Sequence, residues 1–130
     1  MPVLTDEHIA KTMQTYVDCI SAGDRDGVVA LFAIDAVVED PIGSDPAVGH
    51  AALREFYTMA CESVGRMELE GNPRVRGSWG ACSMLAYPKG AEDAMVIETL
   101  DVMTFDEIGK ITSMKAFWGD SNMRELPPKT

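Results

Sequence analysis

Ala94-Met95-Val96-Ile97-Glu98-Thr99-Leu100-Asp101-Val102-Met103-Thr104-Phe105 alternates with the two-residue period of a β-strand. Met95, Ile97, Thr99, Asp101, Met103 and Phe105 share one face, and Val96, Glu98, Leu100, Val102 and Thr104 share the other. The first face is otherwise fit for a core, yet it carries an acid. Burying an ionised carboxylate alone is costly, and desolvation raises such a pKa by about 3 to 5 units. Asp101 would then hold its proton and donate a hydrogen bond at pH 7. On the residues alone a second reading stands beside this one: a structural acid bonded to a neighbouring strand or backbone amide.

Outward from this strand the period of two persists. Met67 to Leu69 and Arg74 to Arg76 predict short strands, Ser78 to Tyr87 predicts a longer one, and Lys110 to Trp118 a last one entered through the tight connection Asp106-Glu107-Ile108-Gly109. The first half has helical spacing instead. Thr5 or Asp6 caps a helix with Ile9, Met13, Tyr16, Val17 and Ile20 on its inner stripe, and Gly23 ends it. Asp24 starts a shorter helix through Val28, Val29, Leu31 and Phe32, and Ala36 to Glu39 reads as a short strand stopped by Asp40-Pro41. Pro41 to Gly49 is a loop, His50 to Val64 a third helix, and Arg124 to Thr130 an irregular surface tail. Three helices first and mainly antiparallel strands afterwards give an α+β fold, a curved sheet covered by helices.

The totals fit this picture. At 130 residues, 46% hydrophobic and 25% charged, the chain suits one domain over residues 1–130. A formal charge of -10 opposes binding to nucleic acid or to an anionic membrane surface. No apolar run reaches the length of a membrane span, and Met1 to Glu7 lacks a basic head followed by an apolar core, so a cytoplasmic protein is expected. Cys19, Cys61 and Cys82 have no CxxC spacing, which argues for reduced thiols rather than a disulfide scaffold or zinc site. His8 and His50 lie at helix starts, where exposure or capping is expected, and Glu39 should point away from Asp40 by strand alternation.

Tyr16, the run Val38-Glu39-Asp40-Pro41, the pair Phe56-Tyr57, the run Asp101 to Glu107, Gly109-Lys110-Ile111 and Ala116-Phe117-Trp118 occur in an order and separation that resembles the bacterial Δ5-3-ketosteroid isomerases, or steroid Δ-isomerases, of the SnoaL-like superfamily. The resemblance runs from about Met13 to Asn122. It implies the cone-like α+β fold shared with nuclear transport factor 2, a homodimer, a small hydrophobic steroid as substrate and no cofactor or metal. It implies Asp40 as the general base, and Tyr16 with a protonated Asp101 as the clamp on the steroid oxygen. Tyr57 would hydrogen-bond Tyr16, and Phe56, Met84, Met114, Ala116 and Trp118 would line the substrate site.

Three positions depart from the pattern. Phe32 stands where some members carry a further tyrosine, which makes Tyr16 more dependent on Tyr57, and Thr99 and Ala86 replace larger apolar residues. The residues also admit plainer roles: Tyr16 as a core tyrosine, Asp40 as a turn or capping aspartate, Met84, Met103 and Met114 as core packing, Trp118 as cover for the core edge. Hydration or dehydration chemistry and a noncatalytic module that binds a hydrophobic ligand are the alternative functions; the former needs an Asp-Arg-Asp relay or histidines in the cavity, for which only Arg74 and Arg76 lie on mid-chain strands.

Overall fold

The structure, a computed structural model, describes residues 4–128, so the first three residues of the Met1 to Glu7 segment and the last two of the tail lie outside the described residues. Helix α1 (Asp6–Ala22) begins where the Thr5 hydroxyl accepts a bond from the His8 amide at 3.0 Å, and ends at Gly23, whose φ of 69° is left-handed. Its inner stripe is the expected one: Ile9, Met13, Tyr16, Val17 and Ile20 are all buried.

The second helix is shorter than its spacing predicts. Helix α2 (Arg25–Val29) stops before Leu31, and Phe32 opens strand β1 (Phe32–Glu39) instead of closing a helix. The reason is tertiary. Phe32 pairs in parallel with Ile111, and the Ile111 amide donates to the Leu31 carbonyl at 2.9 Å, which claims the backbone for the sheet. Within the expected loop, strand β2 (Ala47–Val48) folds back antiparallel on Val37 and Val38 before helix α3 (Gly49–Ser63). The three helices are therefore interleaved with strands rather than forming one amino-terminal block.

The remaining strands are β3 (Val64–Arg76), β4 (Trp79–Pro88), β5 (Met95–Phe105), β6 (Ile111–Phe117) and β7 (Met123–Glu125). The two short strands expected near Met67 and Arg74 are one strand whose register against β4 shifts between Glu70 and Arg74. β7 pairs with Met95 to Ile97, so the tail begins as a strand and only then becomes irregular. The sheet is mixed and curved, in the order β2-β1-β6-β5-β4-β3, with β1 and β6 its parallel pair. At the β5–β6 connection the Asp106 carboxylate accepts the amides of Ile108 and Lys110, and Gly109 takes a φ of 89° there.

Helix α1 lies against β3 and α3 against β1, and their apolar stripes meet Met84, Met103, Ile111 and Met114 of the sheet in one core. Among the described residues, no helix is long and apolar enough to cross a membrane.

Candidate active site

Strand alternation carries Asp101 inward as its sequence predicts: it is 1% exposed, with Thr99, Met103 and Phe105 buried on the same face. Between the helices and this face lies a cavity of about 360 Å³ fronted by Tyr16, Asp40, Phe56, Thr99, Asp101 and Trp118 and otherwise walled by Ile20, Met59, Ala60, Ser63, Val64, Met67, Ala86, Pro88 and Ile97. Three chemically active groups thus arrive from three elements. Tyr16 comes from the inner stripe of α1, Asp40 from the residue after β1, and Asp101 from the middle of β5.

Each polar group has a partner. The Tyr16 and Tyr57 hydroxyls share a hydrogen bond of 3.0 Å, their rings packed edge to face at 5.8 Å between centroids. Phe32 packs against both, 6.5 Å from Tyr16 and 5.6 Å from Tyr57, so an apolar ring closes the tyrosine pair off where another hydroxyl could have stood. The Trp118 indole donates from Nε1 to Asp40 Oδ1 at 2.7 Å, and the Thr99 hydroxyl donates to Asp101 Oδ1 at 2.5 Å. Glu39 turns the other way and accepts the Gly43 amide at 2.8 Å.

Burial sets the electrostatics. It pushes the Asp101 carboxyl from 3.8 up to about 7; the Thr99 bond works against that rise and the Asp40 charge adds to it. Asp40 is also raised by burial, and the Trp118 indole, bonding the charged form, pulls it back. Tyr16 is held well above the ordinary tyrosine value by burial first, then by the fields of Tyr57, Asp101 and Asp40; Tyr57 is likewise raised by burial. A neutral phenol, a reluctant acid and a second buried carboxyl held by an indole thus front one apolar chamber, with a second phenol behind the first.

The other expected site residues divide. Phe56 and Trp118 front the cavity, and Tyr57 stands behind Tyr16. Met84, Met114 and Ala116 are buried but do not line it; Met84 is the cross-strand partner of Thr99 and Ala116 that of Asp101, so they support the wall. The thioethers on the wall are Met59 and Met67, neither of which the sequence pattern marks as a site residue. His8 bonds the Gly109 carbonyl at 2.7 Å and His50 the Phe32 carbonyl at 2.9 Å, both away from the cavity. Arg74 and Arg76 are exposed on β3, and among the described residues no arginine or histidine lines the cavity. Among the described residues, no group of three or more His, Cys, Asp or Glu side chains could hold a metal ion.

The chain matches the SnoaL-like domain family over residues 13–114. It is 38% identical over 112 residues to the steroid Delta-isomerase of Nocardioides simplex, covering 86% of this chain and 90% of that one. It is 50% identical over 120 residues to the epoxide hydrolase LasB of Streptomyces lasalocidi, 86% of this chain but only 42% of that longer protein. Among solved structures, the epoxide hydrolase/cyclase-like enzyme SalBIII, of pyran ring formation in the polyether salinomycin, superposes with a TM-score of 0.81 at 28% identity, over 95% of this chain and 100% of that one.

Proposed function

The chain belongs to the SnoaL-like domain family, and from that premise we propose that it is a steroid Δ-isomerase, converting Δ5-3-ketosteroids to Δ4-3-ketosteroids without a cofactor. The observation that carries the reading is that Tyr16, Asp40 and Asp101 all front the same apolar cavity. Moving the double bond from β,γ to α,β requires a base and an oxyanion clamp. Asp40 removes the proton from the carbon between ketone and alkene, and the electron pair spreads into a dienolate. Tyr16 and Asp101, both holding protons, donate to the developing oxyanion, each worth about 100- to 1,000-fold. Ketosteroid isomerase is the standard example of such a neutral acid at pH 7. Asp40 then returns the same proton two carbons further along, and the apolar walls keep bulk water from exchanging with it. A volume of about 360 Å³ falls within the range of small-ligand sites.

The test is conversion of 5-androstene-3,17-dione, followed by the ultraviolet absorbance of the conjugated enone. Folded protein that binds an equilenin-like phenol tightly but never isomerises the dione would instead be a noncatalytic binding module.

A second reading has its own support in the two epoxide-hydrolase relatives. A neutral Asp101 can protonate an epoxide oxygen as the ring opens, while Asp40 takes the proton of an incoming hydroxyl group. The Asp-Arg-Asp relay of a hydratase has no arginine on this cavity wall, so the two carboxyls would have to suffice. Ring closure of a hydroxy-epoxide with no enone formed from the dione would favour this reading.

A homodimer and a cytoplasmic setting go with the isomerase reading. Leu100 and Phe117 are direct cross-strand partners, 42% and 46% exposed, and give the outer sheet face an apolar spot that a second copy could cover. Sedimentation of wild type against Phe117→Lys tests the dimer. Cys19, Cys61 and Cys82 are free thiols, in keeping with a reducing compartment.

A further inference from the structure

Asp101 does not meet the cavity with both oxygens. Its Oδ1 accepts the Thr99 hydroxyl at 2.5 Å. Thr99 is 9% exposed and fronts the cavity, so bulk water does not compete for this bond. Oδ2 has no hydrogen-bond partner among the described residues, yet no fully buried side-chain oxygen lacks one; Oδ2 is therefore the atom that opens onto the cavity. Strand geometry produces the arrangement, because residues 99 and 101 stand two apart on one face of β5. By sequence Thr99 is a smaller replacement for an apolar side chain. Its hydroxyl is a partner to the acid.

We propose that Thr99 is a positioning residue for Asp101: by donating to Oδ1 it leaves Oδ2 as the oxygen that presents the proton to the cavity, and it ties the range of pH over which that proton is held to one hydroxyl. This rests on the reading of Asp101 as a donor to an oxyanion. The converse arrangement, with the proton on Oδ1 and Thr99 accepting it, would turn a bare carbonyl oxygen toward the oxyanion and repel it. A hydroxyl that donates to Oδ1 also bonds the charged carboxylate, so it opposes the upward push of burial on the same group. The other titratable groups around Asp101 are Tyr16 from α1, Asp40 after β1, Tyr57 from α3 and Cys82, its cross-strand partner on β4; β6 contributes Ala116. None of these donates to the Asp101 carboxyl, which makes Thr99 its one anchor among the described residues.

The experiment is a carboxyl carbon NMR titration of Asp101 in the ligand-free full chain, for wild type, Thr99→Val and Thr99→Ser, with the pH profile of dione isomerisation run beside it. In Thr99→Val, matched in shape but unable to donate, the Asp101 midpoint moves up by about one pH unit, and kcat/KM below pH 6 falls about tenfold as the acid loses its anchor. Thr99→Ser keeps both near wild type. An unmoved midpoint in folded Thr99→Val overturns the proposal, and so does a Thr99→Ser midpoint raised above wild type, a result that stands even if the valine variant does not fold. A shifted valine midpoint in a protein that never isomerises the dione supports the anchor and removes only the steroid assignment.

Discussion

The Trp118 indole N–H reaches Asp40 Oδ1 across 2.7 Å, joining the residue just past β6 to the residue just past β1, 78 positions away. The parallel pairing of β1 with β6 brings the two ends together, Glu39 lying opposite Lys115 in the register. The proposed base is thus held through one oxygen, and the other has no hydrogen-bond partner among the described residues.

Trp118→Phe keeps an aromatic ring and removes the donor. Because the indole bonds the charged carboxylate, its loss lets burial raise Asp40 further, so the base is protonated up to a higher pH. The acid limb of kcat/KM moves upward by about one unit and activity drops more at pH 6 than at pH 8. A variant whose acid limb coincides with wild type would show that the indole only covers the core edge.

Asp40→Asn removes the base and nothing from the core. Turnover of the dione falls by about 100- to 10,000-fold, while an equilenin-like phenol binds as before because Tyr16 and Asp101 are intact. Equal losses of binding and turnover, measured by phenol fluorescence and enone absorbance, would place Asp40 in ligand recognition instead.

Tyr16→Phe and Tyr57→Phe separate the clamp from its support. Tyr16 fronts the cavity and its loss costs about 100- to 1,000-fold in kcat. Tyr57 reaches the cavity's polar groups through its 3.0 Å bond to Tyr16, and its removal costs about 3- to 10-fold. With Phe32 beside them there is no further hydroxyl to relay the effect, so a Tyr57→Phe loss as large as that of Tyr16→Phe would contradict the short pair.

What was legible in the sequence followed its periodicities. The inner stripe of α1 put Tyr16 in the core, and the alternation of β5 put Asp101 there too, because burial of one face is a local, repeating signal. What was not legible depended on partners far along the chain. Phe32 reads equally well as the end of a helix, and only its pairing with Ile111 makes it a strand. The bulge between Glu70 and Arg74 hides one strand inside two, and β7 exists because Met95 to Ile97 offers an edge. The bonds that tune the two acids were invisible for the same reason at Trp118, which is remote from Asp40. At Thr99 the cause is different: a threonine fits a strand whether or not its hydroxyl is used.

The carboxyl of Asp101 also makes stability depend on pH. Its folded pKa of about 7 lies above the ordinary value of 3.8, so between those limits the folded chain binds a proton that the unfolded chain has released. The contribution is fully present below about pH 4 and is lost as pH rises through about 7, the reverse of a salt-bridged aspartate. Asp40, raised by burial as well, acts in the same direction, so wild type alone does not isolate either group. The difference between wild type and Asp101→Asn does, because an amide of the same shape can still accept from Thr99 and cannot ionise. Urea unfolding at pH 5 and pH 8.5 should show the asparagine variant gaining on the order of 2–4 kcal/mol relative to wild type at the higher pH. A constant difference between the two pH values would mean that Asp101 titrates as it does in the unfolded chain, and the neutral donor at the centre of the site would be lost with it.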